Sequence, residues 1–494
     1  MTKIENGVNT PTTVQEYFES IKGNHAALRQ FFTAMPKGGD VHNHLTGSAY
    51  AETYFELAAK KGMYVNLETG KLYKEKPEGV DTIQLSKEMD DLHNHRMTLI
   101  DKWSIRNFQP YKYPLGPDEY FFGTFGLLSA LTSDIDDLAY LMHELKVRAA
   151  KENVQYLEVI GIAPHIPEKC FLGDKYDEKD SELKKIVKEG NIVPLRQKLE
   201  EILDLFKGSK EAEKVVDDYD ESVRMLDKKS NEITSHFHVG QIVCRYQGYA
   251  VRNLEPLMVF AQMYVVFNAC LKNYWGNLLT GCNIVAAENG EKSMMYYTAH
   301  MLMFSVLKDD FKKQNKFVNV SLHAGELTLG LVRPEHLTYH IQRAVDLHIA
   351  NRIGHGVDLP FEEVYGNNVI YYMKEYDMAV EINLTSNEFI LGVKESEHPI
   401  MLYHNAGVPI IISTDDPGIL RTSLTEQYVL ATLRYGFSYN EIKQFVYNSI
   451  EYAFLRKEDK KSLKDKLNNL FVEFEEKYEK SSQQTEERCA KSAD

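Results

Sequence analysis

The sequence predicts an α/β protein built as a (β/α)8 barrel of the TIM type. Two observations lead to this prediction: eight short strand-like runs each end in polar or glycine residues, and segments with helical spacing of apolar residues separate them. Alternating strands and helices indicate a parallel sheet, and eight such units are enough to close a barrel. An open doubly wound sheet is the alternative, because a count of strands does not distinguish the two folds.

The predicted strands follow one another along most of the chain. They lie at 38–45, 154–161, 236–246, 282–289, 318–326, 350–358, 378–387 and 408–417. The clearest helical segments between and after them lie at 257–275, 291–314, 333–348, 362–376 and 422–433. This order favours one elaborated barrel over the roughly three domains that length alone allows.

The 494 residues also leave room for additions to the barrel. Two long charged excursions interrupt the alternation, and the chain ends are polar. The predicted organisation is an N-terminal helical extension at 1–35, a barrel at 36–455 with insertions at about 46–150 and 162–235, a C-terminal helix at 456–480 and a disordered tail at 481–494.

Composition excludes several classes of protein. With 57 Lys+Arg and 72 Asp+Glu the formal net charge is −15, which argues against a nucleic-acid partner. No apolar run approaches the roughly 20 residues of a membrane span, and no CxxC pair occurs among the five cysteines. The N-terminal residues contain no apolar signal region, which predicts a cytoplasmic protein; trimming of the N-terminus would make it a secreted or periplasmic one.

Polar residues gather at the predicted strand ends, where a buried parallel strand should be apolar. They are His42, His44, Glu158, Arg245, Glu288, His323, Glu326, His355, Asn387, Asp415 and Asp416. In a barrel these ends face one common mouth. Ionisable groups there are costly unless they bind a metal, a substrate or each other, so we expect a functional site.

The pair His42 and His44 is the strongest sign of a metal. On a strand, residues i and i+2 point to the same side, so both imidazoles can reach one ion. Zinc accepts imidazole nitrogen and carboxylate oxygen, and His323 and Asp415 end later strands from which they could complete the set.

The same H-x-H pattern occurs twice more in contexts that do not suit a metal. At 93–95 the surrounding apolar spacing is helical, so the two imidazoles diverge by about 200°. At 236–238 the pair begins its predicted strand, which places it at the opposite face of the barrel.

Three further groups at the strand ends suit proton transfer. Glu326, three residues after His323, is a candidate proton shuttle, although an acid in a first helical turn is the plainer interpretation. His355 lies between two glycines and could orient water or stabilise developing charge. In the pair Asp415-Asp416 one carboxylate could bind metal while the other contacts substrate, although such a pair before proline is often a turn.

Taken together, the order HxH, HAGE, GHG and STDDP resembles the adenosine deaminase family of the amidohydrolase superfamily. The segment MPKGGDVHNHLTGS is most similar to the adenosine-deaminase-related growth factor branch and its bacterial relatives. The motifs span residues 36–428. The resemblance implies a barrel of the metal-dependent hydrolase kind with one zinc ion, and its ligands would be His42, His44, His323 and Asp415.

The resemblance also implies a reaction. Zinc would activate water for attack on C6 of adenosine or 2′-deoxyadenosine, yielding inosine or 2′-deoxyinosine and ammonia. By motif, His355 would orient the water and Asp415 would be both ligand and base. Glu326 would supply a proton to N1 of the purine, and Asp416 would contact N7.

Several positions depart from the family pattern. Ala286 stands where the family has a glycine whose amide meets N3 of the purine, and Thr46 stands where many members carry an acid that binds the sugar. Asn383-Leu384 replaces the usual Cys-Pro. Phe121 and Phe125, in a segment that resembles the family's lid helix, either wall the purine or are ordinary core aromatics at i,i+4.

These departures keep two alternatives open: a deaminase of another 6-aminopurine (adenine, an N6-substituted purine or adenylate), and a non-catalytic adenosine- or receptor-binding protein. The branch resemblance is also compatible with a homodimer, for which the sequence contains no decisive interface.

Overall fold

The computed structural model describes residues 13–86, 91–237, 242–272 and 278–491. Its centre is a sheet of eight parallel strands in which each strand neighbours the next one along the chain. These strands are β1 (Lys37–His44), β5 (Val154–Ile160), β6 (Val243–Val251), β7 (Leu279–Val285), β8 (Asn319–Ala324), β9 (Arg352–His355), β10 (Ala379–Ile382) and β11 (Ile410–Ile412).

The sheet closes at the end of β1. The amide of Asp415, just after β11, donates to the carbonyl of His42 at 2.9 Å, and the amide of His44 donates to the carbonyl of Asp415 at 2.8 Å. These bonds join the last strand to the first, so the predicted (β/α)8 barrel is confirmed.

Nineteen α-helices and six short 3-10 helices occur in the described residues. The first ten are α1 (Val14–Ile21), α2 (His25–Ala34), α3 (Leu45–Ser48), α4 (Ala51–Lys60), α5 (Leu92–Lys102), α6 (Pro117–Thr132), α7 (Ile135–Lys151), α8 (Tyr176–Glu189), α9 (Ile192–Lys207) and α10 (Lys210–Ser235). The others are α11 (Pro256–Lys272), α12 (Glu291–Lys313), α13 (His340–Asp346), α14 (Glu363–Glu375), α15 (Leu384–Leu391), α16 (Ile400–Ala406), α17 (Leu424–Tyr435), α18 (Tyr439–Glu451) and α19 (Lys457–Lys491).

The two excursions have different structures. The first contains α3 to α7 and a small antiparallel sheet of β2 (Tyr64–Val65), β3 (Leu72–Tyr73) and β4 (Ile83–Gln84). The second contains α8, α9 and α10, which pack on the barrel helix α11. Because α11 is covered on both sides, it is apolar around most of its circumference and almost wholly buried.

Two predicted boundaries differ from the structure. The third strand begins at Val243 rather than near residue 236, because α10 runs to Ser235; His236 caps this helix, and His238 lies outside the described residues. At the C-terminus, α19 continues past residue 480 to Lys491. The division of the chain into extension, barrel and tail stays a prediction. In the ranges described above, no helix is both long and apolar enough to cross a membrane.

Candidate active site

Four side chains from three strand ends meet at the mouth of the barrel. His42 and His44 lie on β1, His323 on β8, and Asp415 follows β11. The Nε2 atom of His323 lies 3.1 Å from Nε2 of His42 and 3.0 Å from Nε2 of His44. The Oδ1 atom of Asp415 lies 3.4 and 3.3 Å from the same two nitrogens. All four predicted metal ligands are therefore in one cluster.

The separations within this cluster fit a metal ion. A tetrahedral zinc site with bonds of about 2.0–2.1 Å has ligand–ligand edges of about 3.3–3.4 Å. Nδ1 of His42 lies 2.6 Å from a carboxylate oxygen of Glu381, and Nδ1 of His323 lies 2.9 Å from Oδ1 of Asn283. Both partners are acceptors, so the Nδ1 atoms carry protons and the two Nε2 atoms are directed toward each other. Burial lowers the pKa of His42, but Asp415 and Glu381 raise it to about 10, so the cluster favours a positive charge at this nitrogen and is suited to hold a metal cation in place of the proton.

The backbone is strained where the site is formed. Ala286, His355 and Asp415 have φ angles of 81°, 68° and 64°, in the left-handed region. For a residue other than glycine this conformation costs roughly 1–2 kcal/mol. Such strain persists where the surrounding structure enforces it, commonly at functional sites.

Two buried acids at the mouth hold their protons. Burial, reinforced by the charges of Asp415 and Glu288, raises the pKa of Glu326 well above its usual value. Burial and the neighbouring Asp415 and Glu326 raise the pKa of Asp416 in the same way. Two carboxylic acids are thus neutral beside an ionised Asp415, and each can donate a hydrogen bond.

Glu288 holds the loop that carries Glu326. Its carboxylate accepts hydrogen bonds from the amides of Gly325 and Glu326, at 3.2 and 2.9 Å, and lies 2.6 Å from Nδ1 of His340. Burial alone would raise the pKa of Glu288, but Arg252 and His340 lower it to about 2. Although we predicted Glu288 among the residues of the mouth, it lies behind them and supports the loop.

The cluster opens into a cavity of about 410 Å³. Its wall includes Thr46, Phe121, Phe125, Ala286 and Asp416, all the residues predicted to contact substrate. Eight other lining residues were not predicted from the sequence: Phe122, Thr132, Ile160, Tyr249, Val251, Asn253, Val285 and Ala287. Among the described residues, the lining contains no lysine or arginine.

Below the metal group, a hydrogen-bonded network of buried residues joins His42 to His323. Arg352 pairs with both Glu381 and Glu158. From Glu158 the network continues through Gln247, at 2.9 Å, to Asn283, again at 2.9 Å. We call this chain, from Glu381 through Arg352, Glu158 and Gln247 to Asn283, the barrel network.

The prediction that Glu158 and Arg245 face the mouth is wrong. Glu158 lies inside the barrel in this network, and Arg245 is the third residue of β6, near the opposite end of that strand. The shifted start of β6 is the reason for the second error. A charged residue within an apolar strand run, as at Arg352 and Glu381, is the signal that could have revealed the network.

The histidine pair at 93–95 lies on a helix, as predicted. His93 and His95 lie on α5 and outside the metal group.

A group that could hold a metal and a cavity with two buried acids lie together at the C-terminal mouth of a (β/α)8 barrel, an arrangement suited to metal-assisted hydrolysis. Comparison with known proteins places the chain further. Residues 261–470 match the family profile described as adenosine deaminase. Adenosine deaminase 2 of Dictyostelium discoideum is 22% identical over 458 residues, which cover 89% of this chain and 73% of that protein.

Solved structures share the fold. Arabidopsis ADAL complexed with IMP has a TM-score of 0.56 and 19% identity, covering 90% of this chain and 99% of that one. An amidohydrolase from Burkholderia ambifaria with bound zinc has a TM-score of 0.56 and 18% identity, covering 91% of this chain and 95% of that one. The profile match over residues 261–470 and the relatives support a place near the adenosine deaminase family, and the chain is an enzyme of the hydrolase class.

Proposed function

We propose that the protein is a zinc-dependent deaminase that converts adenosine or 2′-deoxyadenosine to inosine or 2′-deoxyinosine with release of ammonia. The observation that carries the proposal is that one cavity contains the metal group together with the buried carboxyl groups of Glu326 and Asp416, whose pKa values are raised by burial and by neighbouring carboxylates. Water supplies the oxygen at C6, the 6-amino group leaves as ammonia, and the product is a 6-oxopurine.

Zinc would be held by His42, His44, His323 and Asp415, and when bound it lowers the pKa of a water molecule to about 7. The donor set supports zinc, since imidazole nitrogen with a carboxylate oxygen is typical of its catalytic sites.

The remaining roles belong to protein side chains. Glu326 holds a proton and faces the cavity, so it can donate to N1 of a purine and make C6 more electrophilic. Asp416 has an oxygen without a hydrogen-bond partner among the described residues and can donate to N7. Asp415, which is ionised, can accept the proton of the attacking water. Phe121 and Phe125 cover the purine and exclude solvent.

The lining supports a neutral substrate over a nucleotide. Phosphate groups are commonly recognised by lysine, arginine or a helix N-terminus, and the described lining residues include no lysine or arginine. The cavity of about 410 Å³ is in the range of sites for small molecules. Thr46, Tyr249 and Asn253 provide uncharged polar groups for a sugar.

The test is ammonia release by the zinc-loaded full-length chain from adenosine, 2′-deoxyadenosine, adenine, N6-methyladenosine and adenylate. We expect turnover of the two nucleosides and little of adenylate. Glu326→Gln should retain zinc but lose about 10²–10⁴-fold in kcat, because Gln cannot transfer a proton to N1. Absence of ammonia from both nucleosides would refute the proposal, and preference for adenylate would refute the choice of substrate.

A further inference from the structure

A chain of hydrogen bonds leads from a backbone amide through two side chains to His355. The amide of Ile400, at the start of α16, donates to Nδ1 of His398 at 3.1 Å. Nε2 of His398 lies 3.0 Å from Oδ1 of Asn387, and Nδ2 of Asn387 lies 2.9 Å from Nδ1 of His355. All three side chains are buried, and they belong to three separate segments around β9.

The direction of every bond in this chain follows from its first member. A backbone amide can only donate, so Nδ1 of His398 is an acceptor and its Nε2 carries the proton. Burial, together with the nearby His355 and Arg434, lowers the pKa of His398 to about 3, so its ring is neutral. His398 therefore donates to Oδ1 of Asn387, which leaves the amide group of Asn387 to donate to His355.

His355 is thereby left with one tautomer. Its Nδ1 accepts from Asn387, and Oε1 of Glu326 lies 3.7 Å from the same nitrogen, beyond hydrogen-bond distance. The proton is on Nε2, a buried atom that has no hydrogen-bond partner in the described residues. His355 also lines the cavity, and its ring centre is 5.0 Å from that of His42.

We propose that His398 is a positioning residue which, through Asn387, holds His355 in the Nε2–H tautomer and so gives the reacting centre a hydrogen-bond donor instead of a base. The kinetic effect that we expect rests on the proposed deaminase function. The tautomer of His355 does not depend on that function. In this arrangement His355 orients the lone pair of the attacking water or stabilises the oxygen that forms at C6, and Asp415 receives the water proton.

The decisive variant is Asn387→Asp, which is nearly isosteric but offers only acceptor oxygens to His355. We expect it to move the proton of His355 from Nε2 to Nδ1, because a carboxylate requires a donor. His398→Leu should leave Asn387 without an anchor and produce a mixture of tautomers. His398→Gln can accept from Ile400 and donate to Asn387, so it should preserve the wild-type tautomer.

The first measurement is ¹⁵N NMR of histidine-labelled full-length protein, with and without zinc, in which protonated and unprotonated ring nitrogens have distinct shifts. The signals of His355 are assigned by their loss in His355→Asn. The proposal predicts a protonated Nε2 in the wild type and an inverted ring in Asn387→Asp. An unprotonated Nε2 in the wild type, or an unchanged ring in Asn387→Asp, would overturn it.

The second measurement separates positioning from folding. Asn387→Asp and His398→Leu should lower kcat by about 10²-fold or more, as expected for a histidine in the wrong tautomer, while KM and zinc content stay within a few-fold of wild type. His398→Gln should recover most of kcat. The matched control is His300→Leu, since His300 is also buried and, among the described residues, neither of its ring nitrogens has a partner.

A loss in His398→Leu no larger than in His300→Leu, or no recovery in His398→Gln, would contradict the positioning role. Failure of the proposed function is distinguishable, because the NMR measurement needs no substrate. If no 6-aminopurine is deaminated, the tautomer of His355 still decides the structural inference.

Discussion

Removal of the guanidinium of Arg352 should strongly destabilise the protein and weaken its metal site. Arg352 is fully buried between Glu158 and Glu381, and it also donates to the carbonyl of Tyr452 at 2.7 Å. In Arg352→Met two buried carboxylates lose their common partner. Breaking one buried ion pair in this way costs roughly 3–5 kcal/mol, so we expect at least this loss in the free energy of unfolding.

The effect should reach the metal because Glu381 also accepts from Nδ1 of His42. Loss of a direct outer partner such as Glu381 typically reduces metal affinity by about 10–100-fold, so displacement of Glu381 in Arg352→Met should reduce it by up to this amount. The measurements are urea unfolding of the metal-free protein and competitive zinc titration. Glu158→Gln combined with Arg352→Met should recover part of the stability, since one of the two uncompensated carboxylates becomes neutral.

The matched control is Arg224→Met. Arg224 pairs with Asp220 at 2.9 Å on the surface of α10, and such exposed pairs contribute about 0–1 kcal/mol. Equal destabilisation by the two arginine substitutions would refute the reasoning about the buried network. Unchanged zinc affinity in Arg352→Met would refute the link from Glu381 to His42.

Three further predictions concern strain, pH and metal. Ala286→Gly should raise the free energy of unfolding, measured by thermal denaturation, by up to about 1 kcal/mol. The reason is that the relief of left-handed backbone strain exceeds the conformational entropy that glycine loses on folding. A loss of stability would contradict this prediction. The pKa of Glu288 is lowered to about 2, so its charge stabilises the protein above pH 4.5 and this contribution disappears as the pH falls to 2. The stability difference between wild type and Glu288→Gln, measured by urea unfolding across this range, should therefore shrink on acidification, and a constant difference would argue against it. Free zinc at 100 times its Kd should raise the free energy of unfolding by about 2.7 kcal/mol in the same assay, and no such increase is expected for His44→Ala.

The metal-binding residues could be predicted from the sequence because they lie at or next to the ends of strands. The i,i+2 spacing of His42 and His44 on a strand places both rings on one side, and barrel closure then brings Asp415 to them. The fold could be predicted for the same reason, because strand and helix periods are local properties. The start of β6 could not be predicted in this way, since the long helix α10 displaced it.

The residues behind the site could not be predicted, because their partners are distant in sequence. Glu381 and His42 are 339 positions apart, and only the register between strands around the barrel places them in contact. His398 precedes a short helix and lies at no strand end. Its role depends on the direction of three consecutive hydrogen bonds, which no local pattern encodes.

The charges around the metal group explain why neutral acids occur beside it. Arg352 neutralises one of the two carboxylates Glu158 and Glu381, and Arg252 lies 3.6 Å from Glu288 and balances it. The pKa of Asp415 is lowered, and those of Glu326 and Asp416 are raised. Two negative charges then remain: one on Asp415 and one on the carboxylate of the Glu158 and Glu381 pair that Arg352 does not neutralise. A divalent cation matches this charge without a contribution from either acid. The cluster can therefore hold zinc while the raised pKa values of Glu326 and Asp416 keep these two acids available as proton donors to the substrate.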